Sequence, residues 1–202
     1  MRPHALLIAP VLLALAPAPA VAAGMDDLAI TEAAAALAPN RYLWTDAEAQ
    51  GPVSVLISLP DQRAYVFRGE KLIAASTVST GSDDKPTPIG SFTILQKKAD
   101  HKSNLYDDAP MPYMQRLTWD GVALHAGRNP GFPASHGCVR LPTAFAKKLF
   151  AITELGATVE VTDAAYVTGD APRSEAAEVA DANAAASRGA SRRDVARALA
   201  AR

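Results

Sequence analysis

The chain contains a single cysteine, Cys138, so it cannot form a disulfide within itself. It also lacks the H-E-x-x-H motif, paired cysteines at the spacing of a structural zinc site, and any internal repeat. His101, His125, His136 and Cys138 are donor types that zinc accepts, but without those spacings no metal and no cofactor are expected. The formal net charge of -1 leaves no electrostatic footprint for DNA, RNA or an anionic membrane, so no nucleic acid partner is expected. No apolar run is long enough to span a bilayer, which takes roughly 20 residues. The nearest candidate, residues 5–15, contains Pro10 and is followed by Pro17 and Pro19.

That apolar block follows Arg2 and precedes the small residues Ala20, Val21 and Ala22. The order of charge, apolar stretch and A-x-A is that of a secretory signal peptide, assigned to residues 1–22. The mature protein is therefore expected in the periplasm, with no retained membrane anchor and as a monomer. Residues 23–50 read as an N-terminal extension, in which "DDLAITEAAAALA" before Pro39 could form one helix. Residues 51–163 read as one domain, and residues 164–202 as an Ala-rich tail. The tail has too few large apolar residues to offset the entropy of ordering, so it is expected to be mostly disordered, apart from a short helix in "SRRDVARALAAR".

Within residues 51–163 the pattern is mainly of strands. "VSVLISL" alternates Val53, Val55, Ile57 and Leu59, and the Pro60-Asp61 turn joins it to "RAYVFRG" as a hairpin. "KLIAASTVST", "SFTILQK", "GVALHAG" and "ATVEVTD" follow as further strands. "TAFAKKLFAITEL" carries Phe145, Leu149 and Ile152 on one stripe, with Gly156 as terminator. The expected fold is mainly β, an antiparallel sandwich or barrel-like domain with one substantial α-helix after Cys138.

A lone thiol in an oxidising compartment invites a reason. Cys138 could be a small buried hydrophobe. Its setting, "PASHGCVRLP", suggests a nucleophile instead. At pH 7 only about 3% of an ordinary thiol with pKa near 8.5 is ionised, so a useful one needs a base or cation nearby. His125, at the end of the "GVALHAG" strand, and His136, two residues before the cysteine, are the candidates, and spacing does not choose between them. Gly137 has two readings of equal weight: an ordinary turn glycine, or a place where the amides of Gly137 and Cys138 converge on an oxyanion. His101 and Ser103 could border the cleft, although a polar surface loop is the preferred reading; Met111 and Pro112 read as loop packing, and Tyr113 and Trp119 as an aromatic wall for a substrate.

"LHAGRNPGFPASHGCVRLP", with "VSTG", "TPIGSFTI" and "APMPYMQRL", resembles the L,D-transpeptidase family with its YkuD-type catalytic domain. The resemblance covers most of residues 53–161. It implies that Cys138 is the nucleophile and His125 its base, oriented by the backbone carbonyl of Ala126. It implies that His136 and Gly137 belong to the segment whose backbone holds the oxyanion, while Ser135 and Arg140 shape the pocket. Arg140 suits a substrate carboxylate or a structural ion pair equally. The connection from His125 to Ser135 is shorter than the family often shows. The implied reaction forms a Cys138 thioester at diaminopimelate of a peptidoglycan stem peptide, releases D-alanine, and passes the acyl group to an amine. That amine belongs to another stem, giving a 3-3 cross-link, or to an envelope protein. A hydrolytic relative and a non-catalytic murein-binding module are the alternatives.

Overall fold

The structure is a computed structural model that describes residues 20–45, 49–169, 171 and 172. Most of the expected signal peptide, most of the expected tail and its short helix lie outside the described residues. Among the described residues, no helix is long and apolar enough to cross a membrane.

The elements run α1 (Ala20–Ala35), β1 (Tyr42–Trp44), β2 (Val53–Ser58), β3 (Arg63–Arg68), β4 (Lys71–Thr77), β5 (Gly90–Thr93), β6 (Gln96–Lys98), β7 (Met114–Arg116), β8 (Ala123–Ala126), β9 (Val139–Leu141), α2 (Thr143–Ile152) and β10 (Thr158–Thr162). They form a six-stranded sheet in the order β1-β4-β3-β2-β10-β5 and a four-stranded sheet in the order β6-β7-β8-β9. The expected β2–β3 hairpin is present, with Ser58 opposite Arg63 across the turn. The sheets are mixed rather than antiparallel throughout, because β10 runs parallel to β2 and β9 parallel to β8. Each parallel pair needs a long crossover. The one from β8 to β9 carries the Cys138 loop.

The segment "SFTILQK" is two strands, not one. Ser91 and Phe92 pair with β10 in the first sheet, and Gln96 to Lys98 pair with β7 in the second, so the chain changes sheet at Ile94-Leu95. Ile94 stays in the core at that step, its amide bonded to the Ala157 carbonyl.

Both faces of the larger sheet are covered, which is why all of β2 is buried although its sequence does not alternate apolar with polar throughout. One face, with Val55, Ile57 and Val66, packs with Leu124, Val139 and Leu141 of the smaller sheet and with Phe145 and Leu149 of α2. The other, with Leu56, Tyr65, Phe67 and Leu72, is covered by Ile30 and Ala34 of α1. Burying each such side chain contributes about 1.5–3 kcal/mol. Arg63 closes α1 by donating to the carbonyls of Ala34 and Ala35 and, just beyond, Leu37.

The helix expected after Cys138 forms, but Gly156 does not end it. Thr153 does: its amide and hydroxyl both donate to the Leu149 carbonyl, and Lys97 donates to the carbonyls of Phe150 and Thr153. The N-terminal helix also exists and is longer than α2. The first residues of the segment read as a tail stay on the sheet, with Tyr166 stacked on Tyr65 at 4.1 Å between ring centroids.

Candidate active site

Strands β7, β8 and β9 place the site. Leu124 pairs with Val139 and Gln115, and all three are fully buried on the core side. Side chains alternate along a strand, so the residues between them face the other way. Two rows result on that face: Arg116, Ala123 and Cys138, then Met114, His125 and Arg140. All of these but Met114, which is fully buried, line a cavity of about 640 Å³, together with His136. The connection from β6 to β7 forms the opposite wall with His101, Ser103, Tyr106 and Met111.

His125 is buried, with Nδ1 2.8 Å from the carbonyl oxygen of Ala126. A carbonyl only accepts, so the neutral ring carries its proton on Nδ1 and leaves Nε2 as a base. Burial holds its pKa below the ordinary histidine value; the Ala126 bond opposes this, and the charges of Arg140 and His101 add to it. Cys138 is half-buried, and its thiol donates to the carbonyl of Gly121 at 3.4 Å. Burial pushes the thiol pKa up, while the amide of Ala123 and the guanidiniums of Arg140 and Arg116 pull it down. The resting pair is thus a neutral thiol and a neutral imidazole on one face.

The loop before Cys138 is braced. Ser135 accepts from the Gly137 amide at 3.1 Å and donates to the Cys138 carbonyl at 2.5 Å. Gly137 adopts φ +107°, a conformation that favours glycine. The buried hydroxyl of Thr87 accepts from the Gly81 amide at 2.8 Å and donates to the Gly137 carbonyl at 2.9 Å. A side chain at Gly81 would meet the Lys85 carbonyl, so the "VSTG" turn and the "TPIG" segment approach closely behind the loop. The amides of Ala134 and Ser135 reach the Thr80 carbonyl.

A family model described as the L,D-transpeptidase catalytic domain, YkuD, matches residues 52–161, more than half of the chain. The chain belongs to this L,D-transpeptidase family. L,D-transpeptidase 1 of Mycobacterium tuberculosis is 29% identical over 125 residues, covering 52% of this chain and 50% of the relative. An L,D-transpeptidase of Stackebrandtia nassauensis superposes with a TM-score of 0.51 at 30% identity, covering 57% of this chain and 58% of its own. One solved in complex with imipenem gives a TM-score of 0.51 at 25% identity, covering 55% of this chain and 58% of its own. The chain spans about half the length of the curated relatives it matches.

Against that L,D-transpeptidase family pattern, most of the residues singled out in the sequence come together. Cys138, His125, Ala126, Ser135, His136 and Arg140 all line the cavity. Gly137 lies directly behind it, with its amide already engaged by Ser135. Arg140 has no ion-pair partner among the described residues, and its aliphatic stem lies along Gly127. Tyr113 and Trp119 do not form the expected aromatic wall. Tyr113, held at φ +57°, turns toward Phe150 with ring centroids 5.9 Å apart, and Trp119 sits in a turn, 73% exposed. The aromatic ring in the cavity is Tyr106, stacked 4.8 Å from exposed His136. His101 and Ser103, read as a surface loop, line the cavity, as do Met111 and Pro112. Tyr106, Thr87 and Arg116 escaped the sequence reading; the signal for the last two was their place inside "TPIGSFTI" and "APMPYMQRL". Among the described residues, no three His, Cys, Asp or Glu side chains group so as to hold a metal.

Proposed function

We propose that the protein is an exported cysteine L,D-transpeptidase acting on peptidoglycan stem peptides. The observation that carries this reading is the shared face of β8 and β9, where a thiol and an imidazole oriented through the Ala126 carbonyl line one cavity. In the first step the Cys138 thiol leaves the Gly121 carbonyl and passes its proton to Nε2 of His125. The thiolate attacks the carbonyl at the L-centre of diaminopimelate. The tetrahedral oxyanion is held by the amide of Cys138, joined by that of Gly137 once Ser135 releases it. Collapse breaks the bond to the D-alanine nitrogen, which takes the proton from His125 and leaves as an amine. Arg140, beside His125 in register, receives the leaving carboxylate.

The thioester is then attacked by an amine, whose proton passes to His125 and on to the departing sulfur. A second stem peptide gives a 3-3 cross-link, an envelope protein an anchored product. Ser135 and Thr87 hold the Cys138 loop, His136 and Tyr106 border the entrance, and chemistry takes place in the periplasm after removal of residues 1–22. No metal or cofactor takes part in these steps.

Incubation of the protein with disaccharide-tetrapeptide, followed by mass analysis of the products, tests the reading. Cross-linked dimers with free D-alanine are expected. Free tripeptide without dimers makes the protein a hydrolase, and unchanged substrate with folded protein makes it a murein-binding module.

A further inference from the structure

Arg116 has no part in the chemistry above, yet it occupies the same floor. It stands in one row with Ala123 and Cys138, so two strand spacings of about 4.8 Å put its backbone about 10 Å from that of the nucleophile. The residue between them presents only a methyl group, leaving a shallow pit that Met111 borders with apolar surface. Arg116 is fixed by Nε donating to Oε1 of Gln96 at 3.1 Å. Its terminal nitrogens have no acceptor among the described residues, although the side chain lines the cavity. A guanidinium held at one nitrogen, with its fork free at the end of an apolar trough, suits a carboxylate carried on a hydrocarbon chain.

We propose that Arg116 binds a carboxylate at the far end of the acyl donor's side chain, so that the site selects stem peptides with a diamino-dicarboxylate third residue over those with lysine. The inference rests on the stem-peptide reading of the site. In diaminopimelate five carbons separate the scissile carbonyl from the second carboxylate, roughly 7 Å when extended, from single bonds of about 1.5 Å. A hydrogen bond of about 2.9 Å brings that reach to about the backbone separation of the two residues. The methylenes lie over Ala123, beside Met111. Lysine offers the same methylenes without the carboxylate and leaves the guanidinium unpaired in a half-buried setting. Arg140 lies in the other row and is left for the carboxylate of the departing residue.

The test is calorimetric binding to the full chain carrying Cys138→Ala, which cannot react. The probes are two synthetic tetrapeptides that differ only in meso-diaminopimelate or L-lysine at the third residue. The diaminopimelate peptide is expected to bind about tenfold or more tightly than the lysine peptide, the scale of a charge-assisted hydrogen bond. Adding Arg116→Met is expected to bring the two within about threefold. If that variant does not fold by thermal melt, Arg116→Lys carries the test, its point charge lowering the preference without abolishing it. Equal binding of the two peptides, failure of both to bind, or a preference undiminished by substitution of Arg116 in folded protein overturns the proposal. Turnover by the unsubstituted enzyme judges the catalytic reading separately. Selective binding without turnover sinks that reading alone, and turnover without Arg116-dependent selectivity sinks this one alone.

Discussion

At the scale of single residues, the burial that positions His125 also sets its working range. With its pKa held below 6.5, the imidazole stays unprotonated, and so able to take the thiol proton, at pH values where an exposed histidine is already charged. The rate of Cys138 acylation, followed by stopped-flow absorbance with a carbapenem, is expected to fall on acidification with its midpoint below pH 6.5. A midpoint above 6.5 contradicts this placement of His125. Thr87 provides a second prediction. Thr87→Val keeps the shape but leaves the Gly137 carbonyl and the Gly81 amide without their partner, at a cost of about 1–3 kcal/mol per unpaired buried group. A lower melting temperature together with slower acylation is expected, since the hydroxyl holds the Cys138 loop. Cys138 and His125 were legible as candidates because their chemistry is written in residue type, with the family resemblance preferring His125 to His136 as the base. Thr87 and Arg116 were not, because a hydroxyl or guanidinium gains its role from a partner 50 residues away or two strands across.

At the scale of elements, the strand signals were strong and their partners invisible. Val53, Val55 and Ile57 marked β2 correctly, but Leu56 faces the opposite side onto α1, so a strand buried on both faces carries no polar alternation to reveal its layer. The run from Ser91 to Lys98 looked continuous because nothing in its composition marks the change of sheet at Ile94. The end of α2 was misplaced for a related reason. Thr153 acts through Leu149 and Gln115, whereas Gly156 advertises a turn that comes later. The α1 cap yields a prediction at this scale. Arg63→Ala removes donors to the carbonyls of Ala34, Ala35 and Leu37, and is expected to destabilise the protein by about 1–3 kcal/mol. A denaturant midpoint unchanged from the parent contradicts that role for Arg63.

At the scale of the whole molecule, the two sheets and two helices of the described residues place one thiol where a cavity, the guanidiniums of Arg116 and Arg140 and a buried imidazole meet. The packing that achieves this also shapes alkaline stability. Tyr65, covered by Tyr166 and buried in the sheet, has its pKa raised from 10.0 to about 12, chiefly by burial and then by Asp61. Its contribution to stability is complete below pH 10, where neither state is ionised, and is lost as pH rises from 10 toward 12, where the unfolded chain ionises first. Unfolding midpoints measured across that interval are expected to fall more steeply in the parent than in Tyr65→Phe. The central claim, that Cys138 is a nucleophile served by His125, meets its most direct test in the intact mass of the protein after exposure to imipenem. The account predicts one acyl adduct that peptide mapping places on Cys138, absent in Cys138→Ala and formed far more slowly in His125→Ala. Folded parent protein that stays unmodified, or an adduct that forms equally fast without His125, contradicts it.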